Sequence, residues 1–136
     1  MDQKRIKGLY NTLGAAQVFV AIGAIPAGIL FLADTSGALM GNSVEMLAKS
    51  PFRSFLIPGL FLVIVHGLFN VIGAVLSFRK HRYAAPLGLV LGLILMLWII
   101  IQVWIITLSS FLQPLLFVVG LAEAILGLLV IRKKSI

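Results

Sequence analysis

Four long apolar stretches decide what this chain can fold into. They run from Leu9 to Leu32, from Phe55 to Phe78, from Ala84 to Leu108 and from Leu112 to Ile131. A helix rises about 1.5 Å per residue and the hydrocarbon core of a bilayer is roughly 30 Å thick, so each stretch is long enough to cross it. Of the 136 residues, 61% are hydrophobic and 11% are charged, which excludes an ordinary soluble domain. The sequence predicts an all-α integral membrane four-helix bundle, with residues 1–136 forming a single transmembrane domain.

The basic residues predict the orientation of this bundle. Nine of the eleven Lys and Arg residues fall in three clusters: Lys4/Arg5/Lys7, Arg79/Lys80/Arg82 and Arg132/Lys133/Lys134. The positive-inside rule places all three clusters in the cytoplasm, so both termini are expected there and residues 33–53 are expected to form a long external loop. The net charge of +7 is therefore interpreted as orienting the protein in the membrane, and no nucleic-acid partner is expected.

The chain also contains an internal repeat. Residues 54–61 read SFLIPGLF and residues 110–117 read SFLQPLLF, and each segment then continues to a basic end. This pattern predicts two tandem helical hairpins related by an axis along the membrane normal. Alignment by the basic ends puts Asn70 opposite Glu123, with His66 one turn outward of Asn70 on the same face. We therefore expect a hydrogen-bonded cluster of His66, Asn70 and Glu123.

Glu123 is the only charged residue inside any of the four stretches. An ionised carboxylate at that depth costs on the order of 3 kcal/mol, so Glu123 is expected to face other helices or a hydrated cavity. It could act as a proton carrier, a cation-binding group or a catalytic acid. The structural alternative is a hydrogen bond that fixes the last helix to Asn70 or Gln102.

Helical spacing predicts which residues face the interior. The expected inward faces are Gln17, Ala21, Ala24 and Gly28 on the first helix, Gly88, Gly92, Leu95, Ile99 and Gln102 on the third, and Gly120, Glu123 and Gly127 on the fourth. Small residues on these faces allow close helix packing. Trp98 shares the face of Gln102. The candidate binding or proton-linked residues are thus Glu123, His66, Asn70, Gln102, Gln17 and Trp98. Of these, Asn70, Gln17 and Gln102 are better explained as packing contacts between helices.

Recognisable catalytic motifs are missing from the sequence. It has no cysteine, which excludes disulfides and thiolate chemistry, and it has no HExxH, GxSxG or Gly-rich phosphate-binding motif. Only His66 and Glu123 could contribute to a metal site within the apolar stretches, too few for a typical site. No catalytic residue, metal or cofactor is predicted, and enzymatic activity is not favoured.

Residues 50–60, 98–103, 112–115 and 120–123 resemble a group of small four-span bacterial membrane proteins of uncharacterised function. The resemblance covers most of the chain. It implies a bacterial cytoplasmic membrane location and marks Gln102, Gln113 and Glu123 as residues worth testing.

Three functions remain open from the sequence. The favoured one is a non-enzymatic accessory or assembly module, in contact with membrane lipids and with a second copy or another membrane protein. The second is a small proton-linked transporter that uses Glu123 and His66. The third is a lipid-binding or lipid-modifying membrane protein.

Overall fold

The structure is a computed structural model that describes residues 3–36, 54, 56–106 and 112–134. Within these residues all regular structure is helical: α1 is Gln3–Ala33, α2 is Leu56–Phe78, α3 is Ala84–Ile106 and α4 is Leu112–Lys134. The all-α prediction is confirmed. Both α1 and α4 extend beyond the predicted spans into their basic segments. Of the predicted external loop, the structure describes residues 33–36, and residues 37–53 lie outside the described part. In the described turn, the backbone N–H and the hydroxyl of Ser36 both donate to Asp34.

All four helices are long and apolar enough to cross a membrane. Their outward faces carry large apolar side chains, of which Ile22, Ile57, Leu97 and Val118 are each more than half exposed. Soluble monomers rarely expose continuous apolar surface of this kind. The helix lengths and the apolar outer surface suggest a multi-pass membrane protein.

The helices pack as the four corners of a bundle. Helix α1 contacts α2 and α4, α3 contacts the same two helices, and α1 and α3 also touch across one diagonal. Over the described ranges no Cα atom of α2 lies within 8 Å of one in α4, so these two helices occupy opposite corners. The arrangement decides which inward side chains can meet.

One end of the bundle carries the basic clusters. Tyr10 of α1 packs there against Ala84 and Ala85 of α3 and against Val130 of α4. The ring of Phe78, at the end of α2, lies over Gly14. We call this the basic end and the other the opposite end.

Glycines on the inward faces bring the helices into close contact. A Cβ atom added at Gly92 would lie 2.5 Å from both the carbonyl oxygen of Gly120 and the backbone nitrogen of Ala124. One added at Gly28 would lie 2.9 Å from the carbonyl oxygen of Gly59. The predicted inward residues of α1, α3 and α4 are all buried except Gln102, which is half-buried, so these faces are confirmed.

Candidate functional site

Buried polar side chains occupy the interior of this apolar bundle. Those with at most 1% of their surface exposed are Gln17, His66, Asn70, Ser77 and Glu123. Their positions along the bundle axis follow from the contacts that each helix makes with its neighbours.

Gln17 and Glu123 lie at the same level. A Cβ atom added at Gly88 would lie 2.8 Å from the Leu13 side chain, and α1 and α3 both begin at the basic end. Gln17, one turn after Leu13, is therefore level with Gly92, one turn after Gly88. Glu123 packs on the same glycine, because a Cβ atom at Gly92 would lie 3.0 Å from Glu123 Cβ.

The Gln17 side chain is held in place from α2. The Ser77 hydroxyl donates a hydrogen bond of 2.8 Å to Gln17 Oε1. The amide nitrogen, Nε2, lies against Gly73, where an added Cβ atom would be only 2.6 Å away, and it has no hydrogen-bond partner in the described part of the chain. Ser77 is not among the residues predicted from the sequence, although its position seven residues after Asn70 places it on the same helix face.

Neither carboxyl oxygen of Glu123 has a hydrogen-bond partner among the described residues. The structural alternative of a hydrogen bond from Glu123 to Asn70 is not seen among these residues, and no Cα atom of α2, which carries Asn70, lies within 8 Å of one in α4. The alternative bond to Gln102 is not seen among them either. The Gln102 carbonyl oxygen, Oε1, instead accepts a hydrogen bond of 3.3 Å from the side-chain amide of the buried Gln113.

The expected hydrogen-bonded cluster of His66, Asn70 and Glu123 is therefore absent from the described structure, although all three side chains are buried. Asn70 Nδ2 makes a long contact of 3.5 Å to the carbonyl oxygen of Val65, while its Oδ1 has no partner. Both ring nitrogens of His66 also lack a hydrogen-bond partner within the described ranges.

His66 lies among aromatic rings. Its ring centroid is 5.2 Å from that of Phe61 and 5.6 Å from that of Trp98. The Phe61 and Trp98 rings stack on each other with their centroids 4.7 Å apart. Trp98 thus faces the interior beside a candidate site residue. Gln102 follows one turn later on α3, which places the Gln102–Gln113 pair beyond His66 toward the opposite end.

The polar side chains form an axial series that we call the polar column. From the basic end its members are Ser77, then Gln17 and Glu123, Asn70, His66, and finally the Gln102–Gln113 pair. Successive levels are separated by roughly one helical turn, or about 5.4 Å. The column combines carboxyl, imidazole, hydroxyl and amide groups, which can bind protons or exchange hydrogen bonds.

The part of α2 that carries His66 is a π-helix, from Leu62 to Phe69. Asn70 follows it directly and begins the final α-helical segment, Asn70–Phe78. Local π-helical turns are rare and frequently occur at functional sites because they change which side chains face a neighbour. No residue pattern in the segment predicts this π-helix.

Replacement of Ser77 by Ala is expected to lower the free energy of unfolding by about 1 kcal/mol, as for other buried hydrogen bonds between membrane helices. The reason is that Gln17 Oε1 loses its donor while remaining buried. The measurement is denaturant unfolding in mixed micelles. Thr12→Ala is the matched control, because the Thr12 hydroxyl donates to the Gly8 carbonyl oxygen of its own helix on the exposed side of α1. Equal stability losses in the two variants would contradict a role for the interhelical bond.

Comparison of the chain with protein-family models, curated proteins and solved structures gave no match. The resemblance to four-span bacterial membrane proteins therefore stays a prediction.

Proposed function

We propose that this chain is a small multi-pass transporter that carries protons, alone or coupled to a solute, along the polar column. In this proposal it consists of two tandem hairpins in a bacterial cytoplasmic membrane, with both termini in the cytoplasm. Glu123 is the main proton-binding group and His66 is a second one nearer the opposite end.

The observation that carries the proposal is the buried Glu123 carboxyl group, whose two oxygens have no hydrogen-bond partner in the described part of the protein. A carboxyl group that served only to join helices would be expected to bond to a neighbouring helix, since buried polar groups are normally paired. Ionisable side chains inside membrane helices are costly and commonly mark proton relays.

The spacing of the polar column supports the same function. Proton transfer requires groups within hydrogen-bonding distance or joined by a water molecule. In this proposal, water molecules inside the bundle connect polar groups on successive levels, which are about 5.4 Å apart along the axis. The Ser77 hydroxyl and Gly73 hold the Gln17 amide against α2, at the level of Glu123, and its Nε2 has no hydrogen-bond partner in the described part of the chain.

The alternative of an assembly module is favoured by a different observation. Two hydrogen bonds, Ser77 to Gln17 and Gln113 to Gln102, join separate helices as packing contacts do. In that case the polar column would contribute stability and helix register, and Glu123 would not exchange protons with water.

Infrared spectroscopy of the lipid-reconstituted protein separates the two functions. For a transporter, a carboxyl absorption band that is absent in Glu123→Gln is expected to change as the external pH varies across the physiological range. The reason is that a proton-carrying group must exchange with water. A band that stays in one state at every pH would contradict transport and favour the assembly module. Asp34→Asn, at the exposed end of α1, identifies any contribution from that carboxyl group.

A further inference from the structure

An apolar groove lies between α1 and α2 on the outside of the bundle. Its volume is about 490 Å³ and it is open to the surroundings, within the roughly 300–1,000 Å³ that small-ligand sites occupy. Ala21 and Ala74, each 4% exposed, form its floor, and the more exposed Ile22 and Val75 form its walls. Small residues between larger ones thus create a furrow parallel to the helices.

The groove ends at Phe78, next to a cluster of positive charge. Arg79 and Lys80 follow Phe78 directly in the chain. On α1, helical spacing puts Lys7 and Asn11 on the same face as the groove wall, nearer the basic end. The acidic side chains that the structure describes, Asp34 and Glu123, lie elsewhere. A ligand in the groove would therefore meet apolar surface along its length and basic groups at one end.

Lys80 is held across this end of the groove. Its ammonium group donates to Asn11 Oδ1 at 2.6 Å and to the carbonyl oxygen of Phe78 at 3.1 Å. An ammonium group has three donors, so these bonds leave one for an anion. The backbone of Lys80 adopts a φ of 55°, a left-handed conformation that glycine would adopt with less strain. The lysine side chain therefore occupies a position where the backbone alone would favour glycine.

We propose that the groove binds an acyl chain of an anionic phospholipid, whose phosphate group contacts Lys80 and Arg79. The chain matches the apolar walls, and the phosphate matches the basic end, as in other sites for anionic headgroups. The proposal depends on the membrane location of the protein, but it does not depend on proton transport.

Native mass spectrometry of the purified full chain tests this site with two lipids of matched acyl chains, phosphatidylglycerol and phosphatidylcholine. The wild type is expected to retain one phosphatidylglycerol. Val75→Phe, which fills the groove from an exposed wall position, should reduce retention severalfold, whereas Val118→Phe on the outer face of α4 should not. Lys80→Gln should reduce the preference for phosphatidylglycerol by about fivefold, the contribution of one basic side chain near a membrane surface. Lys133→Gln, on α4, should leave the preference unchanged.

Two outcomes would overturn the proposal. One is equal retention by Val75→Phe and Val118→Phe, and the other is equal retention of both lipids by the wild type. Val75 is 45% exposed, so a larger side chain there can extend into the groove, and the comparison of Val75→Phe with Val118→Phe does not depend on whether Lys80→Gln folds. Lipid retention is measured without a proton gradient, so its failure and the failure of transport are separate results.

Discussion

Replacement of Glu123 by Gln is expected to reduce proton flux by about a hundredfold, the lower range of what a positioned proton-transfer group contributes. Glutamine has nearly the same shape as glutamic acid but cannot release a proton from its side-chain amide. The flux would be driven by a potassium diffusion potential in proteoliposomes and measured with a pH-sensitive dye inside them. The wild-type rate above that of protein-free liposomes is the reference.

The same substitution is expected to leave the bundle folded. The carboxyl oxygens of Glu123 make no hydrogen bond to the described part of the protein, so glutamine removes none there. Glu123→Asp, which keeps a titratable group, should retain part of the flux. Asp34→Asn removes a carboxyl group at the end of α1 and should have no effect. A Glu123→Gln variant with wild-type flux, or one that unfolds while Glu123→Asp does not, would contradict the proposed role.

The positions of the inward faces could be predicted from the sequence because helix period and residue size are local properties. Gly88 and Gly92 are spaced so that both face the same way, and only a neighbouring helix can fill the space beside them. The structure places Gly88 beside Leu13 and Gly92 beside Gly120. The helical spans were predictable for a similar reason, since each depends on length and apolar composition alone.

The pairing of the polar side chains could not be predicted in the same way. The repeat placed Asn70 opposite Glu123 near the centre of the bundle, but a repeat does not specify how closely the two helices that carry them approach. That distance depends on packing across the whole bundle, in which α1 and α3 come within 8 Å along one diagonal while α2 and α4, on the other diagonal, do not. The hydrogen bond from Ser77 to Gln17 joins residues 60 positions apart and likewise depends on the packing of α1 against α2. The π-helix around His66 is a change of backbone register that residue propensities do not encode.

The close packing of α3 on α4 leads to the second large expected effect. Gly92→Ala is expected to lower the free energy of unfolding by about 2 kcal/mol, because overpacking costs roughly 1–3 kcal/mol and the better helix propensity of alanine offsets only part of it. The new Cβ atom would lie 2.5 Å from the backbone nitrogen of Ala124 and 2.5 Å from the carbonyl oxygen of Gly120. Backbone atoms cannot rotate away as a side chain does, so the two helices must separate. Denaturant unfolding in mixed micelles measures the loss.

Gly23→Ala on α1 is the matched control, because a Cβ atom there would have no neighbour within 4 Å. That variant should be as stable as the wild type or slightly more stable, by roughly 0.5 kcal/mol, since alanine favours the helix more than glycine does. Equal stability of Gly92→Ala and Gly23→Ala would show that α3 and α4 are not in contact at this level. Gly92 also supports the layer that holds Gln17 and Glu123, so its replacement should lower stability and proton flux together. Glu123→Gln should lower flux alone, and this difference separates the chemistry of the carboxyl group from the packing that positions it.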